Sequence, residues 1–286
     1  MLGRKAQPSS INSLPNDTTM PGLCVPTCDL HVVSNEAELV QHVYNILERA
    51  MQACRRSKQQ IIVGLSGGNI VRTMMEVLPS LNEDYLERVR FIFCDEFRVP
   101  FDHPDSIYGQ YAKCVLPRLL PTVSKDQFLS INPYLKTDEC AKDYEIKFRH
   151  LIGGSSQWPE MDIVLLGVGE DGRTCSLFPG HDALLENRCW VSPVTDSSKI
   201  QGERITLTLP VINRARNIVF IATGSSKAGV VKKIFESNNE NKGQNMNVPA
   251  SMIDPVNCGT RMHWILDKAA ASLLKSSDIE NDQSIF

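Results

Sequence analysis

The sequence lacks the features that mark membrane, secreted and nucleic-acid-binding chains. It has no apolar run of the roughly twenty residues that a membrane span needs, so we expect no contact with a membrane. Its 30 Lys and Arg residues face 33 Asp and Glu residues, and the formal net charge is -3. No basic field is therefore present to attract nucleic acid. Arg4 and Lys5 are not followed by an apolar stretch, which argues against a cleaved secretory signal.

Cysteines are present, but not in the compact spacing of a disulfide framework. The nine cysteines are scattered from Cys24 to Cys258, and an odd, dispersed set is typical of reduced thiols in a reducing compartment. We therefore expect a cytoplasmic protein. Cys24, Cys28 and His31 are spaced closely enough to begin a metal site, but Pro26 interrupts them and no fourth ligand follows nearby. The sequence therefore predicts no metal site.

Length and composition fit one large α/β domain with a tail at each end. With 286 residues, of which 42% are hydrophobic, the chain can bury about three quarters of its unfolded surface. Residues 1–27 mix Pro, Ser, Asn and Thr without a period, which is typical of a flexible tail. We predict a single domain from 28 to 275 and a polar tail from 276 to 286.

Short apolar runs alternate with amphipathic stretches along the predicted domain. The runs that predict strands are 61–65, 89–94, 128–131, 163–168, 205–209 and 218–222. The stretches that predict helices are 36–54, 70–78, 108–120, 140–151 and 228–237, and 264–274 predicts a closing strand and helix. This alternation predicts a twisted, mainly parallel sheet with helices on both faces.

Ligands of open parallel sheets bind beyond the carboxyl ends of the strands, so the turns that follow strands are the candidate sites. The first turn is Ser66, Gly67, Gly68 and Asn69, between a strand and a helix. Paired glycines allow close approach of a ligand, and free N–H groups at a helix start favour a phosphate or carboxylate. The alternative is a tight turn without a ligand. The spacing matches neither a Walker loop nor a dinucleotide fingerprint.

The second turn places two carboxylates, Asp95 and Glu96, at the end of a buried strand. Buried carboxylates are costly unless they are hydrogen-bonded or functional. The alternative is that they cap the next helix and pair with Arg98.

The third turn combines glycines and polar residues within a short stretch, as ligand-binding loops often do. It includes Gly169, Asp171, Gly172 and Arg173, and it ends at His181 after a Pro-Gly pair.

These turns, followed by 204–210, 223–228 and 264–274 in that order, resemble the 6-phosphogluconolactonase family. The resemblance covers about residues 28–275 and includes a broader similarity to glucosamine-6-phosphate deaminases. It implies a cofactor-free hydrolase of the pentose phosphate pathway that opens 6-phospho-D-glucono-1,5-lactone to 6-phosphogluconate. The implied partner is therefore a small phosphorylated sugar lactone, and no protein partner follows from the sequence.

The resemblance also implies roles for individual residues. The residues that it assigns to substrate binding are Ser66, Gly67, Gly68, Asn69, Gly169, Gly172, Arg204 and Lys227. The residues that it brings forward for catalysis are Arg173, Asp95, Glu96, Asp171 and His181. Without a ligand, Arg204 would pair with a surface carboxylate, Lys227 would be a solvated lysine at a helix start, and His181 would be a hydrogen-bonding loop residue.

Two positions depart from the family pattern. The family usually has a histidine, the proposed general base, where this chain has Arg173, and an arginine where it has Phe97. A guanidinium stays charged and has no acceptor atom, so Arg173 cannot be that base.

The two departures leave three hypotheses. In the first, the chain is a lactonase with an altered site and reduced activity, in which Arg173 stabilises the oxyanion and another candidate group takes the proton. In the second, it is a catalytically silent sugar-phosphate binder or regulatory relative. In the third, it is an aminosugar-phosphate deaminase, since an aromatic residue after Asp-Glu suits that branch.

Overall fold

Strands and helices alternate along the part of the chain that the computed structural model describes, which is residues 27–54, 60–154, 157–195, 202–236 and 245–275. The strands are β1 (Thr27–Val33), β2 (Ile61–Leu65), β3 (Val89–Phe93), β4 (Asp95–Phe97), β5 (Ile163–Gly167), β6 (Val191–Val194), β7 (Arg204–Leu207), β8 (Asn217–Ala222) and β9 (Arg261–Asp267). The α-helices are α1 (Glu36–Cys54), α2 (Asn69–Val77), α3 (Glu83–Leu86), α4 (Ile107–Cys114), α5 (Thr137–Leu151), α6 (Leu209–Ile212) and α7 (Ala228–Glu236). Short 3₁₀ turns occur at Leu78–Ser80, Leu116–Arg118, Lys125–Gln127, Asp182–Leu185, Ser225–Lys227 and Pro249–Met252.

Six of the strands form a parallel sheet in the order β1-β9-β8-β5-β2-β3. Successive side chains of a strand point to opposite faces of the sheet, and both faces are buried under helices. Ile61 and Val63 pack with α1 and α2, whereas Ile62 packs in a second core with α5 and α7. The predicted fold class, a mainly parallel sheet with helices on both faces, is therefore confirmed.

The sheet has a switch point between β2 and β5. From β2 the chain passes through α2 and α3 to β3 at one edge, whereas the strands after β5 are added in the opposite direction, first β8 and then β9. Loops leave such a point in opposite directions and open a crevice at the carboxyl ends of the strands. The turns after β2 and β5 therefore border this crevice.

A second, three-stranded sheet lies beside the first, in the antiparallel order β4-β7-β6. Only Cys94 separates β3 from β4, so the two sheets meet where the second predicted turn begins. Phe97 and Arg204 are register partners in β4 and β7. The run 205–209, which was predicted as a strand, is thus in the antiparallel sheet, and the strand ends at Leu207.

Three further predictions of secondary structure are wrong. Residues 128–131 do not form a strand, because their pairing with β3 is limited to an isolated bridge between Phe128 and Phe91. The helix predicted over 108–120 ends at Cys114, and a 3₁₀ turn that contains a proline follows it. After β9 the chain forms turns instead of the predicted closing helix.

Three strands were not predicted, β1, β4 and β6. In β1, Cys28 packs toward the core under α5 and α7, whereas His31 lies on the other face of the strand. Cys28 and His31 thus lie on opposite faces of β1. Cys24, the third residue of this closely spaced set, lies outside the described residues. The predicted tails also lie outside them, except Thr27, so the domain bounds 28 and 275 stay predictions. No described helix is long and apolar enough to cross a membrane.

Candidate active site

A cavity of about 350 Å³ opens at the switch point of the sheet. The turns after β2, β5 and β8 and the start of β4 and β7 border it. The predicted site residues that line it are Ser66, Gly67, Gly68, Asn69, Asp95, Gly169, Arg173, Arg204 and Lys227. Residues more than a hundred positions apart in sequence are therefore brought to one small volume.

The turn after β2 presents backbone N–H groups and a hydroxyl to this cavity. Gly68 has φ 68 and precedes α2, whose start has no side-chain cap. A Cβ at Gly67 would lie 2.9 Å from a side-chain carbon of Ile107, so only glycine fits. The Tyr111 hydroxyl fixes the turn by donating to the Ser66 carbonyl at 3.0 Å. The Ser66 hydroxyl is buried without a hydrogen-bond partner among the described residues, and a ligand in the cavity could provide one.

A hydrogen bond joins this turn to the one that carries Lys227. The Asn69 side-chain amide donates to the Thr223 hydroxyl at 3.0 Å, across the carboxyl ends of β2 and β8. Lys227 closes the 3₁₀ turn that follows, and its ammonium lies 3.8 Å from a carboxylate oxygen of Glu170. Glycine-rich N–H groups and a cation thus border the same side of the cavity, the arrangement that suits a phosphate.

Asp95 supplies a buried carboxylate to another part of the lining. The Ser176 hydroxyl donates to its Oδ2 at 2.8 Å. Burial raises the pKa of Asp95, and the Ser176 hydrogen bond and the charges of Arg204 and Arg173 oppose that rise. When it is ionised, this carboxylate is therefore a stronger proton acceptor than an ordinary aspartate.

Arg204 is held against aromatic rings. Its guanidinium carbon lies 4.0 Å from the ring centre of Phe97 and 5.3 Å from that of Phe178. Burial lowers the pKa of Arg204, but a guanidinium remains charged in proteins. Phe97 therefore does more than replace the arginine that is usual in the family, because its ring packs against the guanidinium of Arg204, a cation that lines the cavity.

Arg173 is held by its own turn. Its guanidinium lies 3.1 Å from the Asp171 carboxylate, and its backbone N–H donates to the same carboxylate at 3.2 Å. Gly169 donates to the Arg173 carbonyl at 2.8 Å, and a Cβ at Gly169 would lie 2.6 Å from a side-chain carbon of Arg173. Asp171 does not line the cavity, but its ion pair holds the guanidinium of Arg173, which does.

Three other predicted site residues lie outside the lining. The Glu96 carboxylate accepts backbone N–H bonds from Phe97, Ile107 and Tyr108 at 2.9, 2.7 and 2.6 Å, although burial raises its pKa to about 8. Gly172, with φ 89, packs against Val248. The His181 ring accepts the N–H of Ala183 at 3.1 Å. Each therefore stabilises the loops that form the site, and no imidazole lines the cavity among the described residues.

The sequence did not single out several residues of the lining. They are Asp105, Gln110, Cys175 and Thr223. Asp105 and Thr223 belong to segments that follow predicted strands, and that position is the signal that could have found them. Gln110 lies on α4, where nothing in the sequence distinguishes it. Cys175 has φ 50, an unusual backbone conformation that cannot be inferred from residue type.

Fold and cavity together define a class, the α/β proteins with a small cation-lined pocket at the switch point of a parallel sheet. Within that class, residues 34–264 match the family described as glucosamine-6-phosphate isomerases/6-phosphogluconolactonase. The 6-phosphogluconolactonase of Homo sapiens is 42% identical over 233 residues, which are 80% of this chain and 86% of that protein. A probable 6-phosphogluconolactonase of Drosophila melanogaster is 42% identical over 203 residues, 71% of this chain and 80% of that protein.

The structural comparison agrees. The solved structure of 6-phosphogluconolactonase from Trypanosoma cruzi is similar with a TM-score of 0.71 at 26% identity, and covers 88% of this chain and 98% of that one. The chain belongs to the glucosamine-6-phosphate isomerase/6-phosphogluconolactonase family. The resemblance expected from the ordered turns is thereby confirmed.

Proposed function

We propose that this chain hydrolyses 6-phospho-D-glucono-1,5-lactone to 6-phosphogluconate. The observation that carries the proposal is one cavity in which a glycine-rich helix start, three cations and a buried carboxylate of raised pKa meet. The printed names of the similar proteins support the same substrate. The three cations are Arg173, Arg204 and Lys227.

The sugar phosphate binds on the side of Ser66, Asn69 and Lys227. The N–H groups at the start of α2 favour an anion, and the Lys227 ammonium adds a charge-assisted hydrogen bond. The Ser66 hydroxyl gains the partner that it lacks within the described residues. Because Asn69 and Thr223 are bonded to each other, the two turns form one preorganised surface.

The lactone carbonyl lies on the side of Asp95 and the two arginines. A water oxygen forms a bond to the carbonyl carbon, and Asp95 takes the proton that this water loses. The resulting oxyanion is stabilised by Arg173 and Arg204. Collapse of the tetrahedral intermediate breaks the bond to the ring oxygen, which leaves as a hydroxyl after taking the proton from Asp95. The reaction needs no redox group, and the proton balance closes on Asp95.

This division of roles explains how the chain acts with Arg173 in place of the family's histidine. A positioned base contributes about 10²- to 10⁴-fold, and oxyanion stabilisation contributes a comparable factor. Asp95 supplies the first contribution and Arg173 the second. Activity should therefore persist, below that of a site in which an imidazole near neutral pKa takes the proton.

The direct test measures acid release from the phosphorylated lactone by tag-free protein, above the spontaneous rate. We expect saturable excess hydrolysis, and Arg173→His should raise it. Lys227→Met should raise KM by about 10- to 150-fold, from the loss of about 1.5–3 kcal/mol for a charged hydrogen bond, with little change in kcat. Lys232→Met is the matched control, because Lys232 lies on α7, pairs with Glu236 and is absent from the lining. No excess hydrolysis would overturn the proposal.

The second candidate is a binder of sugar phosphates that does not turn them over. It is favoured by one observation, that no imidazole lines the cavity among the described residues. Calorimetry with 6-phosphogluconate separates the two: binding without hydrolysis supports the binder, and absence of binding contradicts both. Ammonia release from glucosamine 6-phosphate would instead support a deaminase. We also propose a cytoplasmic location, on the dispersed spacing of the cysteines. The expectation that all of them are reduced is wrong for Cys258, which is disulfide-bonded, whereas the other cysteines of the described residues are thiols.

A further inference from the structure

Half of the histidines in the chain meet at a place that the proposed hydrolysis does not use. His31, His42 and His263 are three of the six histidines, and they lie with Asp29 in a cavity of about 1140 Å³. This cavity is lined by residues that precede β5, β8 and β9, at the amino ends of the strands. It is therefore at the opposite end of the sheet from the candidate active site.

The backbone register places these side chains together. Asp29 in β1 is the register partner of His263 in β9, so their side chains lie on the same face. His31 is two residues beyond Asp29 in the same strand and shares that face. His42 comes from α1, and its ring centre lies 4.9 Å from that of His31. Three separate elements thus contribute to the cluster.

The distances are close to those of a metal-binding set. One potential ligand atom from each of Asp29, His31 and His263 lies within 4.8 Å of the others. Ligands on a tetrahedral ion with bonds of 2.0–2.2 Å are about 3.3–3.6 Å apart. Side-chain rotations that move each atom inward by about 1 Å would therefore close the set around one ion.

Two atoms of the set lack hydrogen bonds. Asp29 Oδ1 and His263 Nδ1 are buried without a partner among the described residues. Asp29 Oδ2 lies 3.1 Å from His263 Nδ1, but away from the direction in which a ring N–H would donate. An unpartnered buried polar atom costs about 1–3 kcal/mol, and an ion between the two groups would remove both penalties.

We propose that Asp29, His31 and His263 bind a divalent transition-metal ion, for which Zn²⁺ is the best fit. Two imidazoles and a carboxylate are ligands that zinc accepts at tetrahedral sites. Water occupies the fourth position, beside His42. The ion joins the edge strand β1 to β9 and so stabilises the fold. Arg49 and Arg261 line the same cavity, which makes a bound anion the competing occupant.

The test uses the full-length, tag-free chain, stripped with a chelator and titrated with Zn²⁺ by calorimetry and with Co²⁺ by absorption spectroscopy. We expect one ion per chain, a cobalt spectrum of four-coordinate nitrogen and oxygen ligation, and a Tm that rises with zinc concentration. Loss of an outer-sphere partner costs metal sites 10- to 100-fold in affinity, so Asp29→Asn and His31→Gln should each weaken binding by about 100-fold or more.

The matched control is His150→Gln, because His150 is exposed at the end of α5, its ring lies 2.8 Å from the Ile146 carbonyl of the same helix, and it does not line the cavity that contains the histidine cluster. It should leave affinity unchanged. Asp29→Asn preserves shape, and circular dichroism will verify that both site variants fold. Absence of stoichiometric binding, a sulfur-to-cobalt charge-transfer band, equal affinity in the site variants, or stabilisation by inorganic phosphate but not by zinc would each overturn the proposal.

Discussion

Replacing Asp95 by asparagine removes the proton acceptor of the proposed hydrolysis and changes little else in its surroundings. The amide keeps an oxygen that can accept the Ser176 hydroxyl, which now donates to Oδ2 at 2.8 Å. An amide does not take a proton at neutral pH. If Asp95 is the base, kcat should fall by the 10²- to 10⁴-fold that a positioned base contributes, or about 3–5 kcal/mol in the barrier.

The same substitution should not reduce stability. Burial raises the pKa of Asp95 despite Ser176, Arg204 and Arg173, which means that the ionised carboxylate is less stable in the folded chain than in the unfolded one. Above the ordinary pKa, the charge therefore works against folding. Removing it should leave Tm at or above the wild-type value. The new amide N–H₂ faces the cavity, where water can bind it.

The assay is lactone hydrolysis at several pH values, with thermal unfolding of the same samples. In the wild type, kcat/KM should fall as the pH is lowered through the raised pKa of Asp95, and this acid limb should be absent in Asp95→Asn. The matched control is Asp143→Asn on α5, where Asp143 pairs with Lys147 and does not line the cavity. A decrease in kcat of less than about tenfold, or an acid limb of the pH profile that is unchanged in Asp95→Asn, would refute the role of Asp95.

Three other substitutions test the structural part of the site. Glu96→Gln should gain stability relative to the wild type as the pH rises from 4.5 to about 8, because the raised pKa of Glu96 makes its ionisation unfavourable to the folded state in that window; denaturant titrations at both ends check the sign. Ser66→Ala should weaken 6-phosphogluconate binding by about 2- to 12-fold, from about 0.5–1.5 kcal/mol, without lowering Tm, because the hydroxyl has no partner among the described residues; calorimetry measures it. Gly172→Ala should cost at least about 1–2 kcal/mol, since φ is 89 and the new Cβ would lie 3.0 Å from Val248 Cα, whereas Gly229→Ala on α7 meets nothing within 4 Å and should not destabilise the chain.

Hydrophobic pattern was sufficient for the elements that are buried on both faces. The runs at β2, β3, β5 and β8 are short and almost wholly apolar, and parallel strands under helices have that composition. β1 escaped notice because polar side chains, Asp29 and His31, occupy one of its faces. Its strand character comes from pairing with β9, which is far away in sequence and invisible to local periodicity.

The antiparallel sheet could not be predicted from the sequence, for a related reason. β4 has only three residues, and β6 contains Pro193, so neither has a recognisable strand pattern. Their pairing depends on the long-range register that places Phe97 beside Arg204. The same register explains why Phe97 supports a cation, whereas the sequence alone suggested only that a cation had been lost.

Residues of the candidate site could be predicted where they lie in turns whose composition is typical of ligand binding. The turns after strands, together with the family resemblance, identified nine residues of the lining, because carboxyl ends of parallel strands converge. Glu96 and His181 could not be separated from the lining residues by sequence, since a carboxylate or an imidazole bonded to backbone N–H groups has the same residue type as one that faces a ligand. Gln110 on α4 carried no signal at all.

The binding mode is best determined from a crystal structure with 6-phosphogluconate bound. We expect the phosphate within hydrogen-bond distance of the N–H groups of 67–69 and of the Lys227 ammonium, and the ligand's carboxylate beside Asp95 and Arg173. A ligand bound elsewhere, for example against Arg49 and Arg261 at the other end of the sheet, would contradict this expectation.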